Sequence, residues 1–259
     1  MLTSRTFSLQ QLAVSATSFL SESKGFTDQH TKDLFYKTIE ICKSKGRSEK
    51  EIIQNICDQL SAITGIPYIE WARELFPLDK TIEFSSVPEL IAGLAPFLSR
   101  DEALYIRNSK VSSVDPVKNH EVMSKLENML DFDFADQKWA LLAIFAERGC
   151  TLSKLSIANL LYPLDCDNDP IISNSPVLSE KLFNEAFEAI SDNSECHLNF
   201  ITQFNTLICE SKLKLALLQI DKGFITQAKL QIDYVLKNAA NYSRARRYIK
   251  EHSILKSIN

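Results

Sequence analysis

The apolar residues of this chain recur at spacings of three and four along most of its length, and strict alternation of apolar and polar residues is rare. This is the period of an α-helix, in which residues three and four apart share one face. The glycines agree with that pattern. There are only six in 259 residues, and five of them each follow directly after a helical stretch: Gly25, Gly46, Gly65, Gly149 and Gly223. We therefore predict an all-α protein whose glycines end its helices.

The sixth glycine, Gly93, stands inside a predicted helix close to Pro96. A glycine in that position favours either close packing against a neighbour or a bend in the helix. We accordingly expect Gly93 to serve a structural purpose and not to bind a phosphate group.

Helix starts are marked by the pattern Ser-x-x-Glu, in which the serine and glutamate side chains satisfy each other's free backbone N–H groups. It occurs at Ser48, Ser86 and Ser99. Together with the periodicity, these signals predict about 12 helices in a multi-helical bundle. The expected helices span about 8–21, 28–44, 48–63, 67–76, 86–94, 99–106, 115–130, 134–148, 151–161, 177–190, 197–222, 225–239 and 242–257.

The most loop-like segment is 162–176, which contains three prolines, three aspartates and two asparagines. Residues of these types favour turns and interrupt helices. We therefore predict an N-terminal helical domain over 1–161, a linker over 162–176 and a C-terminal helical region over 177–259.

The formal net charge of −4 is unevenly distributed. Seven basic and two acidic residues follow position 228, which gives the last 31 residues +5 and leaves −9 for the others. The sequence shows no signal peptide and no apolar window long enough to cross a membrane. Its six cysteines form no Cys-x-x-Cys pair. We expect reduced thiols and a cytoplasmic protein, or one exported without a cleavable signal peptide.

Near the C-terminus, segment 209–242 resembles a single tetratricopeptide repeat, a helix pair of about 34 residues. The resemblance rests on the spacing of Leu215, Ala216, Gly223, Ala228, Ile232 and Val235. The segment departs from the family where Lys212 and Gln219 replace aromatic residues and Ala240 replaces proline. The resemblance implies a helical hairpin that binds a peptide or partner helix in an exposed groove.

The last predicted helix places Arg244, Arg247, Lys250 and Glu251 on one face, with apolar residues on another. An amphipathic basic helix of this kind is typical of binding to an acidic partner, a nucleic acid or a membrane surface. We predict that a protein partner contacts five residues in this region: Lys212, Gln219, Arg244, Arg247 and Lys250.

A second pattern, over 139–161, has the spacing of a helix-turn-helix. Its second helix offers Ser153, Lys154, Ser156 and Asn159 as donors to DNA, but aspartates flank the pair on both sides. Those carboxylates would repel phosphates, so we do not expect nucleic acid to be the main partner.

Two further groups were considered as metal sites. The run Asp165–Asp169 offers alternating carboxylates, but prolines occupy the positions where a calcium loop needs glycine and glutamate. Cys196 and His197 are adjacent, which on a helix directs their side chains apart. We predict no metal, no cofactor and no catalytic residue.

These observations lead to three hypotheses. The first is a helical adaptor or scaffold that binds a protein partner through helical surfaces, and is not an enzyme. The second is a nucleic-acid-binding or regulatory protein that uses the 139–161 helix pair or the basic C-terminal helix. The third is an enzyme with a cysteine or carboxylate site between the two helical parts.

Overall fold

The computed structural model describes residues 28–75, 83–94, 97–98, 135–164, 174–190 and 201–258. The regular structure within these ranges is helical and contains no β-strand, which confirms the predicted all-α, multi-helical fold. The helices are α1 (Asp28–Ser44), α2 (Glu49–Thr64), α3 (Tyr68–Leu75), α4 (Val87–Leu94), α5 (Ala135–Glu147), α6 (Thr151–Leu161), α7 (Pro176–Ile190), α8 (Asn205–Asp221), α9 (Ile225–Asn238), α10 (Arg244–Glu251) and α11 (Ser253–Ile258).

Several predictions lie outside the described residues. These are the helices over 8–21, 99–106 and 115–130, the aspartate run 165–169 and the Cys196-His197 pair. Among the described helices, none is long and apolar enough to cross a membrane.

The chain divides into two compact units. The first contains Met1–Leu78 and Leu94–Asn108, and the second contains Asp79–Gly93 and Ser109–Asn259. Helices α6 and α7, which flank the predicted linker, both belong to the second unit and pack against each other. Independent folding of the parts before and after residues 162–176 stays a prediction.

The start of α2 in the first unit follows from its sequence. The side-chain oxygen of Ser48 accepts the Glu51 N–H, and the Glu51 carboxylate accepts the Ser48 N–H at 2.8 Å, so the predicted capping box is present. Four apolar residues of α2 are buried: Ile52, Ile53, Ile56 and Leu60. In α1, Ile41 is 52% exposed, and the neighbouring Cys42 is buried.

In the second unit, α4 packs closely on the segment that precedes it. A Cβ atom at Gly93 would lie 3.2 Å from the Phe84 ring, which leaves no room there for a larger residue. Phe84 is itself buried. Of the two alternatives stated for Gly93, the structure shows close packing, and the neighbour comes from a segment without helical periodicity.

Helix α6 occupies the middle of the second unit, where it packs against α5, α7 and α8. It begins at Thr151, as predicted, after the N-cap Cys150, and no side-chain hydrogen bond caps this end. Thr151 is the first helical residue and is buried, as is Ser153. The beginning of α6 therefore depends on packing more than on capping.

Two predicted helices are shorter in the structure. The segment predicted over 197–222 has an interruption at Phe204, after which α8 begins. The helix predicted over 242–257 is divided at His252, whose backbone is extended (φ −93°, ψ 121°). The His252 ring stacks on Tyr248, with centroids 3.6 Å apart, and its Nδ1 atom lies 2.9 Å from the Tyr248 carbonyl oxygen. These contacts hold the residue at the break between α10 and α11.

Candidate partner-binding surface

The predicted C-terminal helical hairpin is formed by α8 and α9. Gly223 adopts φ +79° between them, where its N–H donates to the Ile220 carbonyl and the next N–H, of Phe224, donates to the Gln219 carbonyl. This pair of bonds is the Schellman arrangement, which satisfies the last carbonyls of a helix and favours glycine. Ala216 and Ala228 are completely buried, and their small side chains allow the two helices to approach closely.

Helix α8 of the hairpin is enclosed. Its residues 213–216 are all buried. Since successive helical residues are turned by about 100°, four consecutive buried residues cover the whole circumference. Helices α9 and α10 pack against α8, and so do α6 and α7. The middle of α8 therefore offers no groove to a partner.

Polar contacts connect α8 to α6 within this enclosed region. Lys214 is only 5% exposed, and its ammonium group donates to the Asn159 carbonyl at 2.7 Å. The Asn159 amide in turn donates to the Ser211 hydroxyl at 2.6 Å, and that hydroxyl donates to the Leu207 carbonyl. These bonds offset the cost of removing polar groups from water.

Lys212 lies in the interior between three helices. Its ammonium nitrogen is 4.1 Å from the centroid of the Phe187 ring and 4.7 Å from that of Tyr234, and it donates to the Gln231 side-chain oxygen at 2.9 Å. Burial lowers the pKa of Lys212, since it disfavours the charged form, and the Cys209 thiol nearby acts in the opposite direction. Lys212 thus joins α7, α8 and α9.

Gln219 also points into the protein. Its side-chain oxygen is buried and has no hydrogen-bond partner among the described residues. The structure therefore separates the five predicted contact residues into two groups. Lys212 and Gln219 are interior residues of α8, and the other three belong to α10.

Helix α10 begins at the N-cap Ser243, whose hydroxyl accepts the Arg246 N–H at 3.2 Å. Three of its residues are buried against α8 and α9, namely Ala245, Tyr248 and Ile249. The other side is exposed and carries Glu251 together with three cations, Arg244, Arg247 and Lys250. We call these three residues the α10 basic face.

Arg246 does not belong to that face. Its guanidinium donates through Nη1 to the carbonyl oxygens of Leu236 and Ala239, the latter at 3.1 Å. These carbonyls are at the C-terminal end of α9, where backbone oxygens lack helical partners. A cation is also favoured at that end by the helix dipole. Arg246 is consequently a structural contact between α9 and α10.

With this geometry described, the chain can be compared with known proteins. No protein-family model, curated protein or solved structure matches it. The hairpin is thus established by its own geometry, and the resemblance to a tetratricopeptide repeat gains no support beyond it.

The helix-turn-helix candidate uses its polar side chains internally. Ser153 is fully buried, and the Lys154 ammonium group is 2.6 Å from the Glu185 carboxylate on α7. Asn159 contacts Ser211, as described above. With three of the four predicted DNA contacts occupied in this way, α6 is not a surface that we propose for nucleic acid.

The described cysteines and acidic residues were also considered for chemistry. Burial raises the pKa of Cys57 to about 12, and burial likewise raises the pKa of Cys209. Both thiols are therefore protonated at neutral pH and poor nucleophiles. Within the described ranges, no group of three or more His, Cys, Asp or Glu residues is placed to hold a metal ion.

Proposed function

We propose that this protein is a helical adaptor or scaffold that binds a protein partner through the α10 basic face. The observation that carries this proposal is the division of α10 into two sides. Ala245, Tyr248 and Ile249 hold the helix on α8 and α9, while Arg247 and Lys250 on the other side are exposed. The face is thus presented by a packed helix, which keeps the cost of ordering it on binding low.

Two charges of this face, those of Arg247 and Lys250, are available to a partner. Among the described residues, no ion pair or side-chain hydrogen bond involves Arg247 or Lys250. An arginine fork and a lysine ammonium group both recognise carboxylates, and exposed arginine is common in protein interfaces. Lys212 and Gln219 lie on α8 and are not part of the proposed contact.

The proposal is tested by affinity capture with the full chain. We expect partner proteins to be retained by the unaltered chain and lost from the triple variant Arg244→Gln, Arg247→Gln and Lys250→Gln. The matched control is Lys37→Gln, Lys43→Gln and Lys45→Gln, which removes the same charge from exposed residues in and after α1. An interior control, Lys212→Met, should also retain the partner.

Circular dichroism of each variant establishes that the helices are intact. If the two triple variants retain the same proteins equally well, the α10 basic face is not the contact. If the unaltered chain retains no protein specifically, the adaptor function itself is refuted.

A further inference from the structure

The C-terminal helices concentrate positive charge on one exposed region of an otherwise acidic protein. Of the seven basic residues after position 228, six are exposed: Lys229, Lys237, Arg244, Arg247, Lys250 and Lys256. The two acidic residues of this segment, Asp233 and Glu251, are exposed as well. The exposed charged residues after position 228 thus sum to +4, Arg246 brings the segment to +5, and residues 1–228 carry −9.

The α10 basic face has a regular spacing. Arg244, Arg247 and Lys250 follow one another at three-residue intervals, so their backbones span about 9 Å along the helix axis at 1.5 Å per residue. Carboxylates on one face of a partner helix, three or four residues apart, are separated by about 5–6 Å. Carboxylates at this spacing can therefore meet Arg247 and Lys250, and the Arg247 guanidinium can bind one of them in bidentate fashion.

An exposed aromatic residue lies beside this row. Tyr242, two residues before α10, is 91% exposed. Interfaces commonly combine an aromatic contact with charged groups around it, and a tyrosine immobilised there loses little conformational entropy. The region thus offers an apolar contact at the beginning of α10 and three cations along it.

On this basis, and resting on the proposed function, we propose that the occupant of the α10 basic face is an acidic amphipathic segment of a protein partner, with carboxylates at helical spacing. The negative charge of such a segment complements the positive charge of the α10 basic face. A nucleic acid is disfavoured because residues 1–228 carry a net charge of −9, which repels phosphates.

The test is a binding titration of the full chain with two labelled alanine-rich peptides of 20 residues. One has four Glu on a single helical face and one Leu, and the other has Gln in place of each Glu. We expect the Glu peptide to bind at least tenfold more tightly at low salt, and its affinity to fall as salt rises. The pair Arg247→Gln and Lys250→Gln should weaken binding by roughly tenfold, and the pair Lys43→Gln and Lys45→Gln should not. Tyr242→Ser should weaken it by a smaller factor.

Duplex DNA of 20 base pairs and vesicles containing phosphatidylserine complete the titration. Equal affinity for the Glu and Gln peptides would overturn the proposal. The proposal would also be overturned if the duplex or the vesicles bound more tightly than the Glu peptide and the pair Arg247→Gln and Lys250→Gln abolished that binding. A further outcome is that affinity capture shows partner proteins retained through the α10 basic face while the Glu peptide does not bind. In that case the proposed adaptor function stands, and the proposal that its partner contributes an acidic segment is wrong.

Discussion

The backbone N–H of Phe84 donates to the side-chain oxygen of Ser175 at 2.8 Å, although 91 residues separate them. Ser175 is 1% exposed, its own N–H donates to the Leu161 carbonyl, and its carbonyl accepts the Ser179 N–H. A single serine therefore connects the segment before α4, the end of α6 and the first turn of α7.

Replacing this serine should destabilise the second unit. In Ser175→Ala the Phe84 N–H stays buried without an acceptor, and such a loss costs about 1–3 kcal/mol. Thermal or urea unfolding measures the change. The control is Ser257→Ala, which removes an exposed hydroxyl that donates to the Ile254 carbonyl and should change the free energy of unfolding by less than about 0.5 kcal/mol. Equal effects at the two positions would contradict the role of Ser175.

A second prediction concerns the contact of α4 with Phe84. Gly93→Val should destabilise the protein by about 1–3 kcal/mol, because the added methyl groups would overlap a buried ring that lies 3.2 Å from the position of Cβ. Ala92→Val places the same side chain on an exposed neighbouring position. That variant should cost only the small difference in helix propensity, under about 1 kcal/mol. If the two variants unfold at the same denaturant concentration, the close packing at Gly93 is not important for stability.

Adjacent arginines of α10 should behave differently. Arg246→Gln removes the donor that satisfies the Leu236 and Ala239 carbonyls and should cost about 1–2 kcal/mol of unfolding free energy. Arg247→Gln removes an exposed charge and should stay within about 0.5 kcal/mol of the unaltered chain. Partner binding should show the opposite order, with the larger loss for Arg247→Gln. If the same substitution caused the larger loss of both unfolding free energy and partner binding, this assignment of separate roles to the two arginines would be wrong.

The half-buried carboxyl of Glu210 provides a prediction on pH. Burial raises its pKa above the usual 4.5, against the effect of nearby Lys214. The folded state therefore binds the proton more tightly than the unfolded state. The stability contributed by this difference is present below pH 4.5 and is lost as the pH rises through the folded-state pKa of Glu210. Glu210→Gln replaces the carboxyl with an amide that does not titrate. The free energy of unfolding of this variant, relative to that of the unaltered chain, should therefore rise from pH 4 to pH 7.

Unfolding free energies measured at several pH values between 4 and 7 would show this trend. Glu40→Gln, at an exposed position of α1, serves as the comparison and should show no such growth. A difference between Glu210→Gln and the unaltered chain that stays constant with pH would indicate that the carboxyl is well solvated.

The sequence predicted those features that depend on neighbouring residues. The capping box at Ser48 and Glu51 places the start of α2, and glycines with positive φ end their helices as expected, for example Gly65. Periodicity also separates the exposed and buried sides of α10 correctly. These features depend on backbone geometry within one or two helical turns, which the local sequence determines.

Features that depend on distant segments were not predictable in this way. Lys212 was predicted to contact a partner, but its ammonium group lies against aromatic rings of α7 and α9. No proline or glycine marks the break at His252. Its position depends on the packing of α10 and α11 on the hairpin, as the burial of Leu255 in the shared core illustrates.

The enclosure of α8 has a consequence for the time scale on which this part of the protein opens. A helix that is surrounded by α6, α7, α9 and α10 cannot expose its middle turns by local fraying. Its amide hydrogens can exchange with solvent only when the surrounding helices separate. Exchange along 213–216 should therefore be the slowest in the second unit and should report its global unfolding, while α11 at the end of the chain exchanges much earlier.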